Sequence, residues 1–285
     1  MEEEIFCLPD HFLQRNTTVA SGSPFCQLYE SNRAIYKSKV ELNSYLFSFL
    51  QEGQKRIHHA QNIASLTPSH FLLLKPGRCL MTERLSLQGN YESLLFFFYP
   101  DNLQELAEKY DWRADYQEER DFMVFKRDKV LIQFTHSLNA LYSSGIYTGD
   151  LIRIKLEEML VYLLQKEGQK VLDFLLQPSA SRPENHLQQV VSKHVYHKLS
   201  LDELAFLSHM SVSTFKRKFK EAYDTSPAKW FQLKRLEKAK QQLVEHHASP
   251  GELYLEAGFE NFSSFSQAFK KEFGYPPSQY TVNKS

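Results

Sequence analysis

Ser213, Lys216, Arg217 and Lys220 fall at helical spacing and form one polar face within residues 213–230, with Thr214 beside them. Fifty positions on, Asn261, Ser263, Ser266, Gln267 and Lys270 form a matching face, flanked by Phe262. Hydroxyl, amide and basic groups are the types that hydrogen-bond base edges and phosphates in a major groove. A second set of chemically able residues, His58, His59, His70 and His136, raises metal binding. Adjacent His58 and His59 would point to opposite faces of a strand, so they cannot both enter one site. A metal-binding cupin barrel needs His-x-His, a carboxylate and a further His. The segment Lys75–Pro76–Gly77 resembles the turn before the last of these, but no His follows. No metal site and no cofactor is expected, and no phosphate loop, Gly-x-Ser-x-Gly or nucleophile–base spacing stands out.

The two polar faces belong to a pattern stated twice. Residues 213–230 and 263–280 register at an offset of fifty: Ser213 on Ser263, Phe215 on Phe265, Phe219 on Phe269, Lys220 on Lys270 and Pro227 on Pro277. Such self-similarity marks one supersecondary unit built twice. Phe215 and Phe219 lie four apart, with Val212 and Ala222 extending their stripe; Phe265, Ala268, Phe269 and Phe273 repeat it. That spacing predicts a helix with one buried face.

The flanking residues supply starts and stops. Leu187, Val190, Val191, His194 and Val195 predict a first helix. Ser200 and Glu203 predict a capping box for a helix carrying Leu204, Ala205 and Leu207. A break at Ser208–His209–Met210 precedes Ser211, the expected cap of the first repeat. Ser226–Pro227 opens a long helix lined by Leu233, Leu236, Ala239 and Leu243. Ser249 and Glu252 predict another capping box with Pro250 at the first turn, and Gly258–Phe259 ends that helix before the second repeat. The expectation is an all-α C-terminal domain with two helix-turn-helix units joined by a long helix.

Ser211, Phe219, Pro227, the Arg235–Leu236–x–x–Ala239–x–x–x–Leu243 run, Gly258–Phe259, Phe265, Phe269, Phe273–Gly274, Pro277 and Tyr280 resemble the AraC/XylS family of bacterial transcription regulators. The resemblance is specific over about residues 187–280 and only architectural over 1–177. It implies a sequence-specific DNA-binding activator, with double-stranded DNA and RNA polymerase as partners and the bacterial cytoplasm, at the nucleoid, as location. The family's base-reading positions fall on Ser213, Lys216 and Arg217, and on Phe262, Ser263, Ser266 and Gln267. His209 stands where the turn often has Gly, and Tyr254 where the fifth helix usually has a small residue.

Charge agrees with that division. The 285 residues carry no net charge, but residues 183–285 hold 14 Lys+Arg against 11 Asp+Glu, a balance of +3, leaving −3 for 1–182. Three cysteines, Cys7, Cys26 and Cys79, lie far apart and suit a reducing compartment. The acidic start lacks the basic region of a signal peptide. Residues 1–100 read as short strands at Phe25–Tyr29, Tyr45–Leu50, Lys55–His59, His70–Leu74 and Ser93–Tyr99, a cupin-like barrel. Gln51–Glu52–Gly53–Gln54 reads as a hairpin turn. Phe47, Phe49, Phe71 and Phe96–Phe98 would fill the barrel or line an apolar pocket.

Residues 101–177 change to helical period, at 102–110, 129–142 and 149–168. Ile152, Leu156, Met159 and Leu163 form an apolar seam, expected to hold a homodimer contact, with Lys155, Glu157 and Glu158 setting the pairing; the seam would otherwise cover the barrel. Residues 178–183 read as a linker. The expected fold is α+β: a sensor and dimerisation domain over 1–177, barrel then helices, and an AraC-type DNA-binding domain over 184–285. A small molecule or protein would act on the first domain. The rival is a catalytic cupin-like barrel with an accessory helical domain, for which no acid–base pair is visible; an enzyme is not expected.

Overall fold

The structure, a computed structural model, describes residues 5–14, 22–60, 62–115, 120–145, 148–176, 183–245 and 248–280. The chain divides into two units, Met1–Pro183 and Glu184–Ser285. Residues 178–182 of the expected linker lie outside the described residues.

Among its described residues the N-terminal unit holds ten strands. They are β1 (Ile5–Leu8), β2 (Phe25–Ser31), β3 (Ile35–Leu42), β4 (Tyr45–Glu52), β5 (Gln54–His58), β6 (Ile63–Leu66), β7 (His70–Leu74), β8 (Gly77–Arg84), β9 (Tyr91–Phe98) and β10 (Phe122–Lys126). The expected barrel takes the form of two five-stranded sheets, not a closed cylinder. One runs β1-β3-β8-β5-β6, the other β10-β7-β4-β9-β2. All pairs are antiparallel except β1 with β3. The hairpin expected at Gly53 does not form, because β4 and β5 belong to different sheets. Gly53 has φ +89 where the chain crosses between them, and an added Cβ would meet the Arg84 carbonyl at 2.6 Å. Glycine is therefore required there, for a sheet-to-sheet corner.

Five helices complete the described residues of this unit: α1 (Asp10–Leu13), α2 (Pro100–Tyr110), α3 (Lys129–Ser144), α4 (Gly149–Glu167) and α5 (Gln169–Leu176). The central strands are buried on both faces, and the period-two alternation sorts their side chains into two cores. Leu46, Leu50, Leu72, Leu74, Leu95 and Phe97 face the gap between the sheets. Phe47, Phe49, Phe71, Phe96 and Phe98 face the other way and lie under the helices. Only Phe97 of the phenylalanines assigned to the barrel interior is found there.

The seam on α4 joins the second core. Ile152, Leu156, Met159 and Leu163 are 0%, 2%, 1% and 0% exposed, packed with Phe49, Phe71 and Phe134. Each such burial contributes roughly 1.5–3 kcal/mol, so the apolar stripe is spent on its own sheet. The expected dimer contact through these four residues is corrected accordingly. The flanking charges are also engaged inside the unit. Glu157 binds Lys109 at 2.6 Å and accepts from the Tyr110 hydroxyl, while Lys155 binds Glu158 at 2.7 Å.

The C-terminal unit is all helix: α6 (Pro183–His194), α7 (Leu201–Leu207), α8 (Val212–Tyr223), α9 (Pro227–Glu245), α10 (Pro250–Glu256), α11 (Phe262–Phe273) and α12 (Pro277–Tyr280). Leu236, Ala239, Leu243, Leu253, Ala257, Phe265 and Phe269 form one core. Upstream, Leu187, Val190, Val191, Leu204, Leu207, Phe215 and Phe219 are buried in the same rhythm.

Candidate nucleic-acid interface

The first motif is α7, a tight turn and α8. Ser200 caps α7 as expected: its hydroxyl accepts from the Glu203 amide at 3.1 Å, and the Glu203 carboxylate accepts from the Ser200 amide at 2.6 Å. His209 then takes φ +55, the left-handed conformation that a side chain adopts only at a cost. Ser211 caps α8 by accepting from the Thr214 amide at 3.2 Å. The Ser211 hydroxyl also donates to Thr214 Oγ1 at 2.9 Å and bonds the Ser213 hydroxyl at 3.0 Å. Ser213 and Thr214 are thus drawn into the cap. Phe215 and Phe219 are fully buried, which turns Ser213, Lys216, Arg217 and Lys220 outward, all exposed. Ala222, expected on the apolar stripe, is exposed. Arg217 pairs with Glu221 at 3.0 Å, both ends well exposed. Such an exposed i,i+4 pair is worth only about 0.3–0.5 kcal/mol, so Arg217 can leave it for a better partner.

The second motif is α10, its turn and α11. Ser249 stands at the N-cap of α10, but its side chain makes no capping bond, so the expected box is absent. Ser249 contributes its carbonyl instead, accepting from the Glu252 amide at 3.0 Å. Gly258 carries the left-handed turn, φ +80. Asn261 Oδ1 accepts from the Ser264 amide at 2.9 Å. The amide expected to read bases is in this structure the cap of α11, chemistry for which Asn is equally suited. Tyr254 packs at the edge of the core, with its ring 6.4 Å from Phe262, so the motif accommodates the larger residue. Phe265 and Phe269 are buried. Phe262, Ser263, Gln267 and Lys270 are exposed, and Ser266 is half-buried.

The two outward faces differ in charge. In α8 they bring three cations, Lys216, Arg217 and Lys220; in α11 the equivalent stretch is neutral up to Lys270. Spacing alone did not single out the residue behind the second turn, Arg235. It is half-buried on α9, and burial pulls its pKa below the ordinary arginine value, although a guanidinium stays charged. No group of three or more His, Cys, Asp or Glu that could hold a metal occurs among the described residues. No helix of the described residues is long and apolar enough to cross a membrane.

Comparison with known proteins agrees with this geometry. A helix-turn-helix domain model matches residues 204–282, and an ExsA N-terminal regulatory domain model matches residues 45–174. The virulence regulon transcriptional activator VirF of Yersinia enterocolitica is 26% identical over 259 residues, 88% of this chain and 93% of the relative. The HTH-type transcriptional regulator ExsA of Pseudomonas aeruginosa is 29% identical over 131 residues, 46% of this chain and 47% of the relative. A crystal structure of ToxT from Vibrio cholerae with an unsaturated fatty acid bound aligns with a TM-score of 0.41 at 14% identity, covering 91% of this chain and 95% of that one. With a matching model in each unit and relatives aligned along most of its length, the chain belongs to the AraC/XylS family of DNA-binding transcriptional regulators.

Proposed function

We propose that this chain is a sequence-specific transcription activator in which α8 and α11 enter successive major grooves, about one helical turn or ~34 Å apart. The observation that carries the reading is the twice-built helix: capped at its start, two buried phenylalanines inside, hydroxyl, amide and basic groups outside. Its readers would be Ser213, Thr214, Lys216, Arg217 and Lys220 in the first motif. In the second they would be Phe262, Ser263, Ser266, Gln267 and Lys270. Asn261 serves through the cap. RNA polymerase is the partner an activator requires, and VirF is named an activator. The N-terminal unit would receive the controlling small molecule or protein, with no catalysis of its own. Work in the cytoplasm, on the nucleoid, follows from that role. The test is to sequence the duplex fragments retained by the purified chain and by residues 183–285 alone. One shared site, held more weakly by the fragment, is expected; a folded fragment with no preference over random DNA contradicts the assignment.

The protein is also proposed to be a homodimer, which would raise occupancy of a double site through effective concentration. With the inner seam buried, α4 offers on its outer side Ile154, 61% exposed, beside the half-buried Leu151 and Val161. Ile154→Glu should give a folded monomer by sedimentation. Leu156→Glu should instead lower the melting temperature of the N-terminal unit, and unchanged melting would return Leu156 to the surface.

A further inference from the structure

The fifty-residue offset that aligns α8 with α11 fails upstream of them. The N-caps of α7 and α10, Ser200 and Ser249, stand 49 apart. So do the left-handed residues His209 and Gly258. The N-caps Ser211 and Asn261 stand 50 apart. The Met210 amide bonds the Ala205 carbonyl at 2.9 Å, and the Phe259 amide bonds the Tyr254 carbonyl at 2.9 Å. Both bonds span five residues, so Met210 and Phe259 correspond, and the second turn carries one residue more, Glu260.

The shorter offset extends into the preceding helices. Leu187 matches Leu236, Val190 matches Ala239 and His194 matches Leu243, all buried. The repeated unit is therefore three helices, with α6 and α9 as counterparts. In α6 the residue behind the turn is His186, whose Nε2 lies 2.9 Å from the Leu207 carbonyl and whose ring is 5.1 Å from that of His209. Its counterpart in α9 is Arg235. Arg235 Nε donates to the Phe231 carbonyl at 3.2 Å, and a Cβ added to Gly258 would lie 2.5 Å from Arg235 Nη1. The left-handed backbone does not by itself demand glycine here, since His209 adopts it with a side chain. At 258 a side chain would bear the same strain and would also have to displace the guanidinium from the place it occupies.

We propose that Arg235 is the positioning residue of the second reading helix: its long side chain occupies the room that the inserted Glu260 opens between α9 and the turn, and Gly258 is glycine to receive it. Arg235, Gly258, Glu260, Asn261 and Ser264 line one groove, so the guanidinium braces the turn at the point where α11 begins. This rests on the reading of α11 as a DNA-contacting helix.

A double-mutant cycle in the full-length protein tests it, with Arg235→Ala, Gly258→Ala and the pair. Melting temperature and affinity for the selected site and for random duplex are the readouts. Gly258→Ala alone should weaken site binding about tenfold, and by about threefold or less once Arg235 is alanine. Strictly additive effects overturn the proposal. Arg235→Ala should erase base preference only at the base pairs whose preference Gln267→Ala also erases, with random-duplex binding unchanged. Equal loss on both duplexes would make Arg235 a phosphate contact instead, and overturn it. Arg235→Met, which keeps reach without charge, should hold affinity within about threefold of the native protein; a loss as large as the alanine's refutes the bracing role. If Gln267→Ala alters no base preference, the reading of α11 fails, and melting of the cycle still decides whether Arg235 and Gly258 are coupled.

Discussion

The two helix-turn-helix motifs share an interior and differ in almost everything around it. Phe215 and Phe219 in one, Phe265 and Phe269 in the other, are equally buried at the same spacing. Their turns differ by a residue, one braced by histidine and the other by arginine. Their caps differ, Ser211 against Asn261, and so do their outward charges. The interior is constrained by packing, which tolerates little change in volume. The outer face answers to whatever it touches, and the two faces offer different groups, three cations on α8 against a stretch neutral up to Lys270 on α11.

The largest expected effects probe the shared interior. Phe219→Ala and Phe269→Ala should each cost about 3–5 kcal/mol, measured as the shift in the denaturation midpoint of the C-terminal unit. Similar losses confirm equivalent cores; a loss below 1 kcal/mol at either would show that its motif does not fold around the phenylalanine. Next come the outer faces. Arg217→Ala should cost roughly 1–3 kcal/mol of site affinity if the guanidinium forks onto a guanine, far more than its pair with Glu221 is worth. Removing Lys216 and Arg217 together should flatten the dependence of affinity on salt, whereas Gln267→Ala should leave that slope unchanged. Identical slopes for all variants would erase the charge distinction. The smallest effects belong to the caps. Ser211→Ala and Asn261→Ala should each lower stability by about 1 kcal/mol. Asn261→Ser should restore both stability and binding; a variant that regains stability but not binding would return Asn261 to the reading set.

The C-terminal unit was largely legible because helix signals are local. Four-residue spacing, capping residues and prolines name each helix without reference to its neighbours. The cap at Asn261 is not legible in the sequence because a single amide suits both a cap and a base edge, and only the fold shows its bond to the Ser264 amide. The change of offset from 50 to 49 is hard to see along the chain because most of its matched pairs, His209 with Gly258 and His194 with Leu243 among them, share no chemistry, and only the paired turn bonds align them. In the N-terminal unit, β2, β4, β5, β7 and β9 were read from aromatic and branched runs. The strands β1, β3, β6, β8 and β10 were not. Ile35–Leu42 carries two lysines and Gly77–Arg84 two arginines, the composition of edges and turns rather than of a core. Pairing across the sheet makes them strands, and pairing is not visible along the chain. The α4 seam was seen correctly as apolar, but a stripe does not say which surface covers it.

The two-faced burial of β4 and its neighbours has a consequence for how errors are rejected during folding. In most sheets a one-residue slip of register exchanges apolar for polar and is refused by water. In residues 45–50 both faces are apolar except at the buried Ser48, whose hydroxyl accepts from Lys55 Nζ at 2.9 Å, so a slip would be refused by polarity at that one position. It would also move the rings of Phe47 and Phe49 into the gap between the sheets and send Leu46 and Leu50 beneath the helices. Along the rest of the strand, shape proofreads the register, since each face would have to refill with side chains of another form the space its own residues occupied.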